Sequence, residues 1–272
     1  MNRHGKGYRW LLSSPVLSAS AAVHLGAAAA ALTYPRGWPW ALGAVAANHG
    51  VLAAAGLWPR SRLLGPNWIR LPAASGARGE VALTIDDGPD PGVTPQVLDL
   101  LSRHGAQATF FCVGERVERY ADIAREIVRR GHAVENHSQR HRHNFSLLGP
   151  RGMREEIARA QDGISRITGS PPRFFRAPAG LRNPFLDPVL DSLDLRLASW
   201  TRRGFDTVNG NADAVYRRLV RSLGGGDILL LHDGNAALGA TGTPVILDVL
   251  PRLLDRLRAV RLSPVTLRTA LP

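Results

Sequence analysis

The sequence predicts an α/β fold with a parallel sheet, preceded by two apolar helices. From Ala82 onward, short apolar runs alternate with amphipathic segments, and repeated βα units of this length imply parallel strands with covering helices. The N-terminal part is different, because two Ala-rich stretches there contain no Asp, Glu, Lys or Arg. We therefore predict two parts, a helical membrane anchor with its linker at 1–75 and a second domain at 76–272.

The second domain is predicted to contain seven strands and six helices. The strands are Val81–Ile85, Ala108–Val113, Ala133–Asn136, Phe174–Arg176, Leu195–Trp200, Ile228–Leu231 and Val265–Leu267. The helices are Thr94–His104, Val117–Arg130, Arg151–Thr168, Pro184–Leu193, Asn211–Leu223 and Pro244–Ala259. Roughly 195 residues are ample for one core. Composition and periodicity alone do not separate a barrel from an open doubly wound sheet.

The two apolar stretches, Trp10–Thr33 and Gly37–Trp58, are each long enough to cross a bilayer, which takes about 20 residues. Aromatic residues that favour the membrane interface lie near their ends: Tyr8, Trp10, Trp38, Trp40 and Trp58. We expect a transmembrane hairpin of helices at about 10–33 and 37–58. The alternatives are a cleaved signal peptide or a pair of soluble helices.

Positive charge predicts the orientation of this hairpin. Basic residues flank it at Arg3, Lys6, Arg9, Arg60, Arg62 and Arg70, whereas the connecting loop has only Arg36. The positive-inside rule places both flanks in the cytoplasm, so the second domain would lie on the cytoplasmic side of the inner membrane. If only one segment inserts, that domain would face the periplasm or the exterior.

The formal net charge is +12, from 34 basic and 22 acidic residues. No basic run is interleaved with stacking aromatic residues, so nucleic acid is not expected as a partner. A basic domain beside anionic lipid would gain affinity for that surface, which makes membrane lipid an expected partner. The single cysteine, Cys112, excludes an intrachain disulfide.

The most informative motif is Thr84-Ile85-Asp86-Asp87-Gly88-Pro89. An apolar strand ends at a Gly-Pro turn and leaves Asp86 and Asp87 at its carboxyl end. Two adjacent carboxylates repel each other, so they need a cation, a shared proton or ample water. A metal ligand beside a general base satisfies this requirement.

Two histidines with i, i+4 spacing, His137 and His141, follow a predicted strand. On a helical turn this spacing brings both imidazoles to one face. Together with Asp87 they would form a site of two nitrogens and one oxygen with open positions, which is the pattern of a catalytic metal. Two further strands end in polar residues, Arg176 and His232, at the end of a parallel sheet where sites are built.

The ordered motifs Thr-Ile-Asp-Asp-Gly-Pro, His-Ser-x-x-His, Arg-x-Pro-x-Gly and Leu-x-His resemble those of the polysaccharide deacetylases with a NodB homology domain, carbohydrate esterase family 4. The similarity extends from about Ala77 to Leu271. It implies a distorted (β/α)7 barrel of the NodB type. It also implies a metal-dependent hydrolase of carbon–nitrogen bonds other than peptide bonds, which removes an N-acetyl group from an amino sugar.

The resemblance also implies roles for individual residues. Asp86 matches the catalytic base that deprotonates the attacking water, and Arg176 matches the residue that pairs with this base. Asp87, His137 and His141 match the metal ligands. The implied cofactor is a divalent ion, zinc first, although such ligands also accommodate cobalt, nickel or iron.

On the other side of the expected scissile bond, His232 matches the general acid that protonates the leaving amine. Asp206 matches the carboxylate that orients this histidine. Trp200 and Leu230 match the apolar pocket for the acyl methyl group. The backbone N–H of Ala179 would help to hold the oxyanion.

The chain departs from the family pattern in its fourth motif, where Arg203 stands in place of an acid and Thr207 in place of a tryptophan. This points to an unusual substrate. A domain in the cytoplasm would act on a lipid-linked saccharide, whereas an exported domain would act on a mature amino-sugar glycan. The alternatives are a deformylase or other amidase on a lipid-linked sugar, and a non-catalytic glycan-binding protein.

Overall fold

A computed structural model of the chain describes residues 14–271, and these residues form two compact units. The helical unit comprises residues 14–67, 142–155 and 177–197. The sheet unit comprises residues 68–141, 156–176 and 198–271. The predicted boundary at residue 75 stays a prediction. Tyr8, Trp10 and the basic residues Arg3, Lys6 and Arg9 lie outside the described residues.

The helical unit begins with a hairpin of two long helices. Helix α1 spans Pro15–Thr33 and helix α2 spans Trp38–Leu57, joined by a 3-10 turn at Pro35–Gly37. Ser14 caps α1 by accepting a hydrogen bond from the Leu17 N–H, and proline occupies the first turn of both helices. The two predicted apolar helices are present.

Polar side chains connect the two helices of the hairpin. Nε2 of His24 lies 3.2 Å from Nε2 of His49, and Nδ2 of Asn48 donates to Oγ of Ser20 at 2.9 Å. No residue of α1 is fully buried, and Leu32 is 83% exposed. Both helices are long and apolar enough to cross a membrane.

The remaining helical unit consists of shorter elements. They are 3-10 turns at Phe145–Leu147 and Pro178–Gly180, helix α8 at Leu186–Asp191 and strand β5 at Arg196–Leu197. The Arg182 N–H donates to the Gly56 carbonyl at 3.1 Å. A Cβ at residue 56 would lie 2.2 Å from the Arg182 carbonyl oxygen, so only glycine permits this contact.

The sheet unit is built on a parallel sheet. Its strands are β1 (Glu80–Asp86), β2 (Thr109–Cys112), β3 (Ala133–Asn136), β4 (Phe174–Phe175), β6 (Arg202–Arg203), β7 (Ile228–His232) and β8 (Ser263–Val265). Within this unit the order is β4-β3-β2-β1-β7-β6, and β8 pairs with the first residues of β1. No ladder joins β6 to β4 among the described residues, so the barrel is incomplete. The predicted fold class is confirmed.

Strand alternation sorts the side chains of the sheet onto two faces. On β1, Val81, Leu83 and Ile85 belong to the core under the helices, whereas Ala82 belongs to a second core on the opposite face. Thr84 and Asp86 share the face of Ala82 by the same alternation. Because Val81, Leu83 and Ile85 face the core under the helices, Asp86 lies on the opposite face of the strand.

The helices of the sheet unit and its flanking segments largely follow the prediction. They are α3 (Ala73–Ala77), α4 (Thr94–Arg103), α5 (Gly114–Arg119), α6 (Ala121–Arg129), α7 (Pro150–Thr168), α9 (Ala212–Val220) and α10 (Ile246–Ala259). The single helix predicted at Val117–Arg130 is instead two helices. Tyr120 interrupts it with φ −120° and ψ 50°, a break that the continuous amphipathic pattern did not indicate.

Two further differences concern the strands. The strand predicted at Leu195–Trp200 is limited to Arg196–Leu197. Strand β6 at Arg202–Arg203 was not predicted, because two arginines carry no strand signal. It pairs with Leu229 and Leu230 of β7, so tertiary contact rather than local propensity makes it a strand.

Candidate active site

Asp86 and His232 occupy paired positions on neighbouring parallel strands. Residue 86 is the last of β1 and residue 232 is the last of β7, and the two are register partners. Both side chains are buried. The two residues therefore meet at the carboxyl end of the sheet, on the face that carries Ala82 and Leu230.

Arg176 follows β4 and is 1% exposed. Its Nη1 donates to Oδ1 of Asp86 at 2.6 Å and to Oγ1 of Thr84 at 2.8 Å. Its other nitrogens donate to the carbonyls of Ala198 and Ser199. Burial lowers the pKa of Arg176, and the charge of Asp86 opposes that change. The cation is held in one orientation beside the Asp86 carboxylate.

Asp87, His137 and His141 converge on one point. Oδ1 of Asp87 lies 3.2 Å from Nε2 of His137 and 3.2 Å from Nε2 of His141. The potential ligand atoms of the three residues all lie within 4.8 Å of one another. Oδ1 of Asp87 is buried and has no hydrogen-bond partner in the described part of the chain. A buried carboxylate oxygen facing two imidazole nitrogens fits a divalent cation.

The loop that carries the two histidines is not helical, so the expected helical turn is wrong. Ser138 and His141 have positive φ angles of 65° and 50°. The loop is held by side chains, since Oδ1 of Asn136 accepts from the Ser138 N–H and Oγ of Ser138 accepts from the His141 N–H. The i, i+4 spacing brings the imidazoles together through this turn instead.

Hydrogen bonds around these residues favour metal ligation. Nδ1 of His137 lies 2.8 Å from the Arg176 carbonyl, to which it donates, so Nε2 carries the lone pair. Burial raises the pKa of Asp87, but interactions with His137, His141 and His232 lower it by more, to below its usual range. The carboxylate is therefore ionised.

Asn235 completes the surroundings of Asp87 and was missed in the sequence. Its Nδ2 donates to Oδ2 of Asp87 at 3.1 Å. The residue lies three positions beyond His232, just past the carboxyl end of β7. This position at a sheet end was the available signal, although an Asn in a turn is otherwise unremarkable.

His232 is paired with Asp206. Nδ1 of His232 donates to Oδ1 of Asp206 at 2.9 Å, and the His232 N–H donates to Oδ2 of Asp206 at 2.7 Å. Burial alone would lower the pKa of His232. The hydrogen bond and charge of Asp206, with the charges of Asp86 and Asp87, raise it above its usual value instead. The imidazole is thereby suited to donate a proton from Nε2.

Asp233, next in the chain, is a buried carboxyl group. Its Oδ2 accepts from Oγ1 of Thr94 at 2.5 Å, and its Oδ1 accepts from the Gly234 N–H at 2.9 Å. Burial raises the pKa of Asp233 to about 7, although these hydrogen bonds oppose the rise. A Cβ at Gly88 would lie 2.5 Å from Oδ1 of Asp233, so glycine is required there.

Trp200 and Leu230 belong to the second core of the sheet unit, the one that contains Ala82, and are 7% and 1% exposed. Arg203, the position that departs from the family pattern, contacts this region. Its guanidinium carbon lies 5.4 Å from the Trp200 ring centroid and 4.9 Å from that of Phe205. Where the family pattern has an acid, this chain therefore has a cation that contacts two aromatic rings.

Ala179 lies in the helical unit, in the 3-10 turn Pro178–Gly180. Its backbone has φ 55°, and its side chain is exposed. The structure brings together the other nine predicted site residues within the sheet unit, which are Asp86, Asp87, His137, His141, Arg176, Trp200, Asp206, Leu230 and His232. The oxyanion role of the Ala179 N–H stays a prediction.

Comparisons with known proteins agree with this geometry. The family model described as "Polysaccharide deacetylase" matches residues 73–198. A peptidoglycan-N-acetylglucosamine deacetylase of Bacillus cereus is 32% identical over 175 residues, which are 64% of this chain and 81% of that protein.

Solved structures give the same result. A family 4 carbohydrate esterase from Streptomyces lividans in complex with acetate is 33% identical with a TM-score of 0.62, over 68% of this chain and 91% of that one. The Bc1960 peptidoglycan N-acetylglucosamine deacetylase is 26% identical with a TM-score of 0.68, over 75% of this chain and 92% of that one. The chain therefore belongs to the polysaccharide deacetylase family, carbohydrate esterase family 4.

Proposed function

We propose that this amide hydrolase removes the N-acetyl group from an amino sugar of a glycan or lipid-linked saccharide. The observation that carries the proposal is the arrangement of Asp86 and His232 at paired strand ends beside the Asp87, His137 and His141 cluster. The related proteins are named as deacetylases of peptidoglycan N-acetylglucosamine and of chitooligosaccharide, which supports an acetamido sugar as substrate.

Asp87, His137 and His141 would hold a divalent cation, with zinc as the first candidate because two imidazoles and a carboxylate leave open positions. When bound, such an ion polarises the acetamide carbonyl and lowers the pKa of water toward about 7.

The residues of the chain would then carry the proton transfers. Asp86 accepts a proton from the attacking water, and the hydrogen bond from Arg176 holds the Asp86 carboxylate in place. His232 donates its Nε2 proton to the leaving amine, while Asp206 fixes the proton on Nδ1. Trp200 and Leu230 would bind the acetyl methyl group.

We further propose that α1 and α2 anchor the enzyme in the inner membrane, with membrane lipid as a partner. These helices expose many large apolar side chains, which is unfavourable in water and favourable in lipid. The flanking basic residues indicate a cytoplasmic catalytic domain. A cytoplasmic domain supports a lipid-linked saccharide as substrate.

The test is acyl release by the purified full-length chain with added zinc or cobalt. The substrates are N-acetyl oligomers, polymer and undecaprenyl-linked sugars, with N-formyl counterparts beside them. Acetate release that Asp86→Asn abolishes and Asp213→Asn, an exposed control, leaves unchanged would support the proposal. Formate release alone would replace deacetylation with deformylation. Metal binding without release of either acid would indicate a glycan-binding protein.

A further inference from the structure

The helical unit contains an apolar cavity of about 430 Å³ that the proposed reaction does not use. Leu17 of α1 and Leu52 and Leu57 of α2 line one part of it, and Leu147, Leu181 and Phe185 line another. This volume is in the lower part of the range for small-ligand sites, about 300–1,000 Å³. One hydrocarbon chain fits the size and the lining better than two.

A buried cation also lines the cavity. Arg182 is 4% exposed, and its Nη2 donates to the Ser61 carbonyl oxygen. Its Nε and Nη1 are buried without a hydrogen-bond partner among residues 14–271. Burial lowers the pKa of Arg182 and the charge of Asp187 opposes this, but arginine stays charged in proteins.

Two nitrogens of a buried cation without hydrogen-bond acceptors are costly. The N–H groups of a guanidinium donate charge-assisted hydrogen bonds to phosphate oxygens, and such bonds are stronger than neutral ones. A phosphate ester also matches the positive charge, and its hydrocarbon chain matches the apolar lining. The cavity and Arg182 are therefore complementary to the two ends of one amphipathic molecule.

We infer that the helical unit binds a single-chain lipid phosphate, with the chain in the cavity and the phosphate on Arg182. The inference makes a lipid-phosphate-linked amino sugar the substrate class, and in this respect it rests on the proposed function. The binding itself does not depend on turnover.

The experiment measures binding of farnesyl phosphate to the full-length chain by native mass spectrometry from detergent micelles. We expect saturable one-to-one binding at least tenfold tighter than that of farnesol, because a charge-assisted contact is involved. Inorganic phosphate alone should not compete at equal concentration. Arg182→Gln should reduce the affinity for farnesyl phosphate to that for farnesol, and Arg182→Lys should recover part of it.

Two further variants distinguish the contribution of the hydrocarbon chain to binding from that of the phosphate. Arg62→Gln removes the same charge from an exposed position of the helical unit and should leave binding unchanged. Ala53→Phe adds a ring at a lining position and should weaken both farnesyl phosphate and farnesol. Thermal melting followed by circular dichroism checks that each variant is folded. If Arg182→Gln is unfolded, the binding results for Ala53→Phe and Arg182→Lys test the inference.

Equal affinity for farnesol and farnesyl phosphate would overturn the inference, as would palmitate binding as tightly as the phosphate. Unchanged binding by a folded Arg182→Gln would overturn it too. If the protein binds farnesyl phosphate as expected but releases no acyl group from any sugar, the proposed function is contradicted and this inference is not. Release from free oligomers without lipid phosphate binding would contradict this inference alone.

Discussion

The carboxylate of Asp86 and the imidazole of His232 stand at register-paired positions of β1 and β7, the last residues of two adjacent parallel strands. Each has its own buried partner, Arg176 for Asp86 and Asp206 for His232. Arg176 donates a charge-assisted hydrogen bond to Asp86, and Asp206 raises the pKa of His232. The sheet thus holds the proposed proton acceptor and the proposed proton donor at register-paired positions.

Replacing Asp86 by asparagine should lower kcat by at least about 10²-fold, because the amide cannot accept the proton of water. The metal content of this variant should stay at the wild-type level, since Asp87 is retained. Acyl release and metal analysis of the same preparation check this. Loss of metal together with activity would instead make Asp86 a ligand.

Removing the carboxylate of Asp206 should lower the pKa of His232, because its hydrogen bond and charge raise that pKa above the usual value. A general acid works only while protonated, and a raised pKa extends activity toward higher pH. Asp206→Asn should therefore shift the alkaline limb of the kcat profile to lower pH. The pH profiles of both proteins test this, and an unmoved limb would contradict the assigned pair.

Arg176→Met should destabilise the fold by about 3–5 kcal/mol, because it leaves the Asp86 carboxylate buried without its partner. Adding Asp86→Asn should recover part of that loss, since the buried charge is then gone. Denaturant unfolding of the single and double variants measures both effects. Arg151→Met removes an arginine from a surface pair that is 82% and 66% exposed, and should change stability little.

Asn235→Ala should weaken metal binding by about 10–100-fold, because the amide orients Asp87 from outside the ligand set. Excess metal should restore most of the activity. Competition with a chelator gives the affinity, and Asn209→Ala, in another loop of the sheet unit, serves as control. Equal affinities for wild type and Asn235→Ala would show that Asp87 is positioned by its backbone alone.

The expected topology can be tested with a membrane-impermeant maleimide on intact cells. Cys112 is fully buried, so the wild-type chain should not be labelled. A cysteine placed at Arg36, in the connecting turn, should react from outside, whereas one at the exposed Arg258 should react only after permeabilisation. Labelling of the Arg258→Cys variant in intact cells would place the catalytic domain outside and favour mature glycan as substrate.

Much of the fold followed from local signals in the sequence. Every one of the seven predicted strands overlaps an observed strand, and both apolar helices are present. Strand β1 illustrates the reason, because it is buried on both faces and its short apolar run is visible in the sequence without knowledge of its partners. The break at Tyr120 and strand β6 were not predictable in this way, since contacts with distant segments decide them.

Local patterns along the chain were enough to predict which chemical groups gather at the sheet end. Each of them lies at or shortly after the end of a strand: Asp86, Asp87, His137, His141, Arg176 and His232. How these groups are used depends on the tertiary structure. It replaced the expected helical turn at His137 by a strained loop, brought Asn235 to Asp87, and stacked Arg203 on Trp200. It also left Nε and Nη1 of Arg182 without a hydrogen-bond partner among residues 14–271, at the lining of an apolar cavity. Strand ends are marked by short-range patterns, whereas hydrogen-bond partners and burial depend on residues far apart in the chain.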